Sequence, residues 1–362
     1  MGKPPKKDEV EISVFGPGYG ECILIHMGFN EWIIVDSCLN PKTRKPAGLE
    51  YLKSIGVSAD YVQLVIATHW HDDHIRGLSE TLKACKNSEF VMSEALRQEE
   101  FLTLLSHFGT EPMIKGSSGT QEFFSILNHL EEVGKPPKRA IADRTLWLKS
   151  KPFQSGITSL SPSDRSIYLS NWQIAKRIQE IGFRKERLLS ITPNHSAVVL
   201  WVQIHEIAVL LGSDLEVTTD KGCGWIAILE SKTRPNGKAD FFKVPHHGSE
   251  NGDHPRIWDE LISKNAVIAL TPFQQGGTKL PRNSDIQRIC QQRSRCYITA
   301  THRKKKVKTD RTVDKMIEKV GGIRSRRKVH GDFGQLRVRG GMSIKSSSEW
   351  KIETIDGSKC LC

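Results

Sequence analysis

The chain has 362 residues, 38% of them hydrophobic, and a formal net charge of +12 at pH 7, so it is long enough to bury one large core. Its longest apolar stretch, residues 197–211, is interrupted by Gln203, His205 and Glu206, which excludes a membrane-spanning helix and predicts two adjacent strands. Residues 1–9 are rich in Lys and Pro, and no apolar h-region follows them. We therefore expect no signal peptide, no membrane partner and a cytoplasmic protein.

Near the N-terminus, a glycine-rich turn separates two apolar segments in the sequence VFGPGYGECILI at residues 14–25, and WIIVD follows at 32–36. The most informative stretch comes next: HWHDDH at residues 69–74, directly after the apolar and β-branched segment VQLVIA at 62–67 and Thr68. The segment predicts a buried strand, and ligands bind at the carboxyl ends of strands in open α/β sheets. A strand that ends in three histidines and two carboxylates indicates a metal site.

The spacing within these six residues predicts two ions. His69 and His71 project the same way and can share one divalent ion, while Asp73 and His74 turn toward a second ion beside it. Two neighbouring ions form a hydrolytic site. Imidazole and carboxylate ligands favour zinc, and manganese or iron remain alternatives.

An insertion at residues 85–190 separates the hexad from the next motif. Apolar residues at helical spacing predict helices at 93–108, 120–133 and 163–181, with glycine- and lysine-containing loops between them. The insertion is therefore predicted to be largely helical. It has two interpretations, a lid over the site or helical decoration that adds stability.

Three further motifs follow the insertion: NHSAVVL at residues 194–200, AVLLGSD at 208–214 and KVPHHGS at 243–249. With the hexad and the N-terminal turn, they resemble the signature of the metallo-β-lactamase superfamily, and they are similar to the soluble hydrolase domain of ComEC-like competence proteins. The resemblance covers about residues 10–303. It implies an α/β fold, a four-layer αββα sandwich, with the insertion within it and a basic extension at 304–362.

The resemblance also implies a ligand set. His69 and His71 would ligate one metal, Asp73, His74 and His247 the other, and Asp214 would bridge the two. Asp36 is expected to orient the hexad loop, since ligand histidines usually donate their second N–H to a carboxylate or carbonyl.

His246 stands beside a ligand without being needed as one. We expect it to face the substrate and to stabilise developing negative charge or protonate the leaving oxygen. His246 and Asp73 thus form the expected catalytic group. The alternative is that His246 and His247 are only a hydrogen-bonded loop pair.

Two positions depart from the family pattern. The strand before the bridging carboxylate usually ends in Gly-Asp, whereas here Ser213 precedes Asp214. The second is His195, at a place where the ComEC-like group often has Asn and other branches have a third histidine for the first metal. Whether His195 is a ligand stays open.

The positive charge is concentrated late in the chain. Residues 303–328 contain twelve Lys or Arg against three Asp or Glu, a density that favours a polyanionic partner because each neutralised phosphate releases counterions. A solvated surface is the alternative. The expected nucleic-acid contacts are Arg303, Lys304, Lys305, Lys306, Lys308, Arg324, Arg326, Arg327 and Lys328. The segment follows the last predicted core strand, at 296–301, and alternation at 334–339 and 350–355 predicts a closing hairpin.

The eight cysteines, at positions 22, 38, 85, 223, 290, 296, 360 and 362, form no CxxC pairs and predict a reducing compartment. The closing Cys-Leu-Cys is either a frayed end or a tail that is lipidated or binds metal. These features together predict a two-metal phosphodiesterase, with DNA or RNA as substrate. The alternatives are a hydrolase of a small phosphodiester or cyclic nucleotide, and a nucleic-acid-binding module with an inactive site.

Overall fold

The computed structural model describes residues 2–16, 20–97, 102, 118–181, 193–275, 277–300, 333–342 and 349–362. The strands are β1 (Glu9–Gly16), β2 (Cys22–His26), β3 (Trp32–Val35), β4 (Val62–Ala67), β5 (Glu89–Ser93), β6 (Lys138–Ala140), β7 (Arg144–Lys149), β8 (Ser155–Ser159), β9 (Leu200–Ile204), β10 (Ile207–Leu211), β11 (Ala239–Lys243), β12 (Ile262–Leu270), β13 (Phe273–Gln275), β14 (Thr278–Leu280), β15 (Cys296–Ile298), β16 (Gly334–Gly341), β17 (Lys351–Asp356) and β18 (Lys359–Cys360). The α-helices are α1 (Ala47–Ser54), α2 (Asp72–Ile75), α3 (Leu78–Ala84), α4 (Ser118–Glu132), α5 (Asp164–Ile181), α6 (Gly224–Glu230) and α7 (Asn283–Gln292).

Most strands join two large sheets. The first has the order β17-β16-β1-β2-β3-β4-β5-β6, and the second has the order β18-β15-β12-β11-β10-β9-β8-β7. Inward-facing Val, Ile and Leu side chains of both sheets form one apolar core between them. Residues of α1, α3 and α4 cover the outer face of the first sheet, and residues of α6 and α7 cover that of the second. The predicted four-layer α/β sandwich is confirmed.

Parallel strands bring the polar motifs to one edge. Strands β3, β4, β5 and β6 are parallel in the first sheet, and β10, β11, β12 and β15 are parallel in the second. The hexad follows β4, and Asp214 and His247 follow β10 and β11. Because the carboxyl ends of parallel strands lie together, segments distant in sequence meet at this edge.

Several sequence predictions agree with the elements. The strand predicted at 62–67 is β4, the stretch at 197–211 contains β9 and β10, and the helices predicted at 120–133 and 163–181 are α4 and α5. Strand β4 is almost continuously apolar because both faces of the sheet are covered. Of the helix predicted at 93–108, a 3₁₀ turn at Glu94–Arg97 is described, and most of the remainder lies outside the described residues.

The insertion predicted to be largely helical at 85–190 also contains strands that the sequence analysis did not predict. Besides α4 and α5, this range contains β5, β6, β7 and β8, which extend both sheets. Strand β6 has three residues, and β7 lies at a sheet edge with a mostly half-buried or exposed sequence, RTLWLK. Short, partly solvated edge strands give little periodic signal in the sequence.

The last part of the chain joins both sheets. Strand β16 pairs antiparallel with β1 and with β17, and β18 pairs with β15. The division of the chain at residue 303 stays a prediction. Cys290 and Cys362 form a disulfide, a pairing that the sequence analysis did not predict. Among the described residues, no helix is both long and apolar enough to cross a membrane.

Candidate metal centre

The hexad loop places two imidazoles side by side. After β4, the chain turns so that the Nε2 atom of His69 and the Nδ1 atom of His71 lie 3.2 Å apart. His69 is fully buried and His71 is half-buried. These two nitrogens and a carboxylate oxygen of Asp214 form one group of converging ligand atoms, all within 4.8 Å of one another.

A second group lies on the other side of Asp214. The short helix α2 presents Asp73 and His74, and the loop after β11 presents His247. The Nε2 atom of His247 lies 3.0 Å from an Asp73 oxygen, and the Nε2 atom of His74 lies 3.3 Å from an Asp214 oxygen. Since Asp214 belongs to both groups, the structure brings together all six expected ligands, with Asp214 between the two sets.

Two buried atoms in this cluster test whether a metal fits. Neither His74 Nε2 nor Asp214 Oδ1 makes a hydrogen bond of acceptable geometry, although both are buried. Leaving a buried polar atom unpaired costs about 1–3 kcal/mol, and a divalent cation would satisfy both. The donors are imidazole nitrogens and carboxylate oxygens, which suit divalent metals such as zinc or manganese. The described residues therefore fit a metal centre.

The ionisation of the cluster agrees with this fit. Burial lowers the pKa of His69 and of His71, which favours the neutral imidazoles that ligate metals. Burial alone would raise the pKa of Asp73 and of Asp214, but the neighbouring His74 and His247 together outweigh it and both pKa values are lowered. Burial would lower the pKa of His74, yet Asp214 and other carboxylates raise it well above its usual range. The carboxylates thus favour positive charge at this point.

Asp36 fixes the orientation of two ligand histidines. This residue is buried at the end of β3, and one carboxylate oxygen accepts a hydrogen bond from the Nδ1 of His74 at 2.7 Å. Thr68 donates its backbone N–H and its hydroxyl to Asp36, at 2.8 and 2.7 Å. The Thr68 hydroxyl oxygen lies 3.0 Å from the Nδ1 of His69 and can accept its proton. Because both Nδ1 atoms are held as donors, the Nε2 atoms of His69 and His74 carry the free lone pairs.

A buried group that the sequence analysis missed supports His247. Its Nδ1 lies 3.1 Å from the carbonyl oxygen of Thr271, to which it can only donate. The Thr271 hydroxyl donates to Glu21, and Glu21 forms an ion pair of 2.7 Å with Lys243, which is fully buried. The available signal was Lys243 itself, since a lysine inside the apolar run of β11 needs a buried partner.

The backbone is strained at four positions of the site. Asp36, Ser213, His246 and His247 have φ values of 57°, 47°, 45° and 53°, in the left-handed region that favours glycine. This conformation gives a physical reason for the Gly that usually stands at the position of Ser213. Here the Ser213 hydroxyl lies 3.4 Å from the Nδ1 of His69, so its side chain adds a polar contact behind that histidine.

His246 lies outside both groups of ligand atoms. Its Nδ1 is 2.9 Å from the Asn251 side-chain oxygen and 3.2 Å from Glu216. The side chain is partly exposed, at 19%, whereas His247 is buried. The adjacent histidines therefore face different surroundings, and His246 is open to solvent at the rim of the centre.

The remaining predicted residues are placed differently. His195 is half-buried in a 3₁₀ turn, Pro193–Ser196, and it belongs to neither group of converging atoms found among the described residues. All nine expected nucleic-acid contacts, from Arg303 to Lys328, lie outside the described residues.

Helix α4 of the insertion packs against the hexad. An Asp72 oxygen accepts a hydrogen bond of 2.6 Å from the backbone N–H of Gly119, and a Cβ at Gly119 would meet the carbonyl oxygen of Trp70 at 2.5 Å. Glu122 accepts from the backbone N–H groups of Gly77 and Ser79, at 2.9 and 3.1 Å. These contacts make α4 a wall of the centre and explain Gly119 by close approach.

The comparisons with known proteins agree with this class of fold and site. The family model described as "Metallo-beta-lactamase superfamily" matches residues 15–111, which include the hexad. A search of curated protein sequences gave no match. The sequence match over residues 15–111 and the two-sheet architecture are both features of the metallo-β-lactamase superfamily. Most members are metal-dependent hydrolases, which supports a hydrolytic enzyme.

Solved structures described as metallo-beta-lactamases or as having that fold are similar to this chain at low identity. The metallo-beta-lactamase fold protein YhfI from Bacillus subtilis is 14% identical, with 82% of this chain and 97% of that chain covered and a TM-score of 0.42. A metallo-beta-lactamase mutant from Cronobacter sakazakii is 12% identical, with 64% and 75% covered and a TM-score of 0.34. These similarities do not extend to an activity, and the narrower resemblance to ComEC-like proteins stays a prediction.

Proposed function

We propose that the protein is a two-metal phosphodiesterase that cleaves DNA or RNA. The observation that carries the proposal is the position of Thr299, four residues before the basic segment begins in the sequence. Strand β15 runs parallel to β12, so Thr299, after β15, lies beside Thr271, after β12. A Cβ built on Gly16 would meet both side chains. Thr271 contacts His247, and the twelve basic residues of 303–328 begin four residues after Thr299.

Gly334, the first residue of β16, lies against Thr299. There is no room for a Cβ at Gly334, because the carbonyl oxygen of Thr299 occupies that position. Thr299 and Gly334, which lie on either side of residues 301–332 in the chain, are therefore in contact, next to a residue that supports a metal ligand. A basic segment that begins and ends in the sequence near this point supports the proposal of a polyanionic substrate.

An exposed aromatic face on α5 favours a strand of nucleic acid. Tyr168 and Trp172 are 60% and 54% exposed, and they are four residues apart on one helix face. The guanidinium of Arg165 lies 5.8 Å from the Tyr168 ring, and the ammonium of Lys176 lies 5.3 Å from the Trp172 ring. Aromatic rings interleaved with cations are typical of surfaces that stack bases and bind phosphates.

This helix is linked to the rim of the metal centre. Helix α5 contacts the turn Pro193–Ser196, in which Asn194 donates to Glu216 at 2.8 Å. Glu216 in turn lies 3.2 Å from His246. The helix that carries Tyr168 and Trp172 is thus connected to His246 through Asn194 and Glu216.

The chain's own residues have separable roles in this reaction. His69, His71, Asp73, His74, Asp214 and His247 would hold two divalent ions, which we propose to be zinc, with manganese as the alternative. Bound divalent ions supply Lewis acidity and lower the pKa of water near neutral pH. His246 would stabilise charge on the phosphoryl oxygens or give a proton to the leaving oxygen. Asp36 and Thr68 keep the ligand lone pairs directed at the centre.

The direct test is incubation with labelled single-stranded and double-stranded DNA and RNA, with zinc, manganese or magnesium added in turn. We expect cleavage of at least one polymer with a transition metal, and about two ions per wild-type chain. Asp214→Ala should lose metal and activity together. Cleavage of a small chromogenic phosphodiester without any action on the polymers would contradict the nuclease proposal and favour a small substrate.

The basic segment has its own test. If it contacts four to six phosphates, the log–log slope of duplex DNA affinity against salt should be about −4 to −5. Replacement of Arg303, Lys304, Lys305, Lys306 and Lys308 by Ser should flatten this slope by several units and leave cleavage of the small chromogenic ester unchanged. An unchanged slope would exclude the segment from binding.

A further inference from the structure

Three cysteine sulfur atoms lie together on elements that carry none of the expected metal ligands. Cys290 belongs to α7, Cys296 begins β15, and Cys362 follows β18. The three Sγ atoms lie within 4.8 Å of one another. Cys290 and Cys362 are joined as a disulfide, and Cys296 is a free, buried thiol beside it.

Backbone contacts hold these residues in place independently of the disulfide. Strand β18 pairs with β15 through Tyr297 and Cys360, and the N–H of Leu361 donates to the carbonyl oxygen of Cys296 at 2.8 Å. The Cys296 thiol donates to the carbonyl oxygen of Arg293 at 3.0 Å. The C-terminal residues are thus held against β15 without any bond between sulfur atoms.

The other free cysteine of this segment is not part of the cluster. Cys360 pairs with Tyr297 between β18 and β15, so its side chain lies on the face of the sheet opposite Cys296, and its Sγ lies 2.9 Å from the carbonyl oxygen of Cys362. A structural disulfide needs two sulfur atoms, whereas the cluster has three. In a tetrahedral zinc site a Zn–S distance of about 2.3 Å places sulfur atoms about 3.8 Å apart. Once the Cys290–Cys362 bond is reduced, its two sulfur atoms can separate to this distance, and three thiolates and a water molecule complete the site.

We propose that Cys290, Cys296 and Cys362 form a thiolate site for a soft divalent cation such as zinc, in exchange with the disulfide. A dithiol reductant supplies two electrons and two protons to the Cys290–Cys362 bond and is itself oxidised to a disulfide. The three thiols then release three protons as the cation binds, since coordinated thiols are deprotonated. In the reverse step the oxidised form of the dithiol takes up two electrons from the Cys290 and Cys362 thiolates and two protons from solvent, so the Cys290–Cys362 bond forms again and the cation is released.

Both states fix the end of the chain to α7. The disulfide joins Cys290 of α7 to Cys362 after β18, which forms the edge of the second sheet, and a bound cation would join Cys296 of β15 to them as well. Helix α7 also carries Arg288, which donates to the carbonyl oxygen of Gly248 at 2.7 Å, next to His247. The thiol site therefore shares a helix with a residue that holds the His246–His247 turn.

Cobalt(II) provides a probe that separates this site from the histidine centre. The full-length protein would be reduced with a dithiol, freed of the dithiol under nitrogen and titrated with cobalt. Thiolate ligands give an intense sulfur-to-cobalt charge-transfer band in the near ultraviolet, whereas nitrogen and oxygen ligands do not. We expect this band in the reduced wild-type protein and its absence in the oxidised protein.

Single substitutions assign the ligands. Cys296→Ser should abolish the band and lower the bound cobalt by about one ion per chain, whereas Cys360→Ser should leave the band unchanged, because Cys360 lies on the other face of the sheet. The matched control is Cys85→Ser, because Cys85 is also buried and free but belongs to no group of ligand atoms; it should keep the band.

Two outcomes would overturn the proposal. Absence of the band in the reduced wild-type protein would leave only a disulfide, and persistence of the band in Cys296→Ser would place the thiolates elsewhere. Neither result bears on the proposed nuclease activity, which depends on the histidine centre.

Discussion

The two halves of the metal centre are held in position by different means. The hexad half takes four ligands from residues 69–74 and is oriented by hydrogen bonds to one buried carboxylate, Asp36. The other half takes Asp214 and His247 from two strand ends of the second sheet. It depends on left-handed backbone at Ser213 and His247 and on the buried Glu21–Lys243 pair. The first half is a local motif, and the second exists only when the sheets are assembled.

This difference predicts which substitutions should weaken metal binding and which should weaken folding. In the hexad half, a lost hydrogen bond lets a ligand histidine rotate, which should affect metal affinity more than folding. In the second half, a lost partner leaves a charge buried at the junction of the two sheets, which should affect folding first. Substitutions in each half can therefore be compared through two measurements, the free energy of unfolding and the metal dissociation constant.

The largest effect on the free energy of unfolding is expected for a substitution at Lys243. Its replacement by Met removes the cation that is paired with the buried Glu21, and an uncompensated buried charge costs about 3–5 kcal/mol. Urea denaturation of the metal-free protein measures this loss. The double variant Glu21→Gln/Lys243→Met should recover much of it, because both charges are then absent. A loss below about 1 kcal/mol in the single variant would mean that the pair is not structural.

His246→Ala should leave both halves folded and lower activity by about a hundredfold or more, the usual contribution of a positioned acid or charge stabiliser. The physical reason is that His246 lies outside both groups of ligand atoms. Metal content and turnover are measured on the same preparation. The matched variant is His247→Ala, which should lose metal; the reverse pattern would exchange the roles of the two histidines.

Asp36→Ala tests whether hydrogen bonds to Asp36 orient the ligands of the hexad half. It removes the acceptor for His74 and for Thr68, and loss of such a supporting group typically weakens metal binding 10- to 100-fold. Competition with a chelator measures the affinity. Asp60→Asn serves as a control, since Asp60 is an exposed carboxylate before β4. If Asp36→Ala binds metal as tightly as Asp60→Asn, the carboxylate does not orient the hexad.

The smallest effect is expected for Ser213→Gly. Glycine adopts the φ of 47° without strain, but the contact with His69 is lost. Relief of the strain stabilises the fold and loss of the contact destabilises it. The free energy of unfolding should therefore change by less than about 1 kcal/mol. Ser213→Val, a β-branched residue in the same conformation, should be clearly destabilising. Equal stability of the two variants would contradict the strain at this position.

The same contrast explains what could be predicted from the sequence. The four ligands of the hexad and the strand before them could be predicted because they are neighbours in the chain. Asp36 could be predicted because it follows an apolar strand. Asp214 and His247 required the family resemblance, since nothing local joins them to the hexad. Glu21 and Lys243 were missed because their pairing depends on contact between the two sheets.

The edges of the sheets were also hard to predict. Strands β6 and β7 are short or partly solvated, so their sequences lack clear alternation. The Cys290–Cys362 bond could not be predicted from spacing, because several pairings of eight cysteines are equally compatible with the sequence.

The pairing of β16 with β1 has a consequence for folding. The first sheet is finished by contact between segments near opposite ends of the chain, and contacts of such long range form slowly. Until β16 is synthesised, the apolar strand β1 presents a free edge during translation, and free apolar edges promote aggregation. Truncation before residue 334 should therefore give insoluble protein, whereas internal excision of 301–332 with a short linker keeps β16 and should preserve solubility.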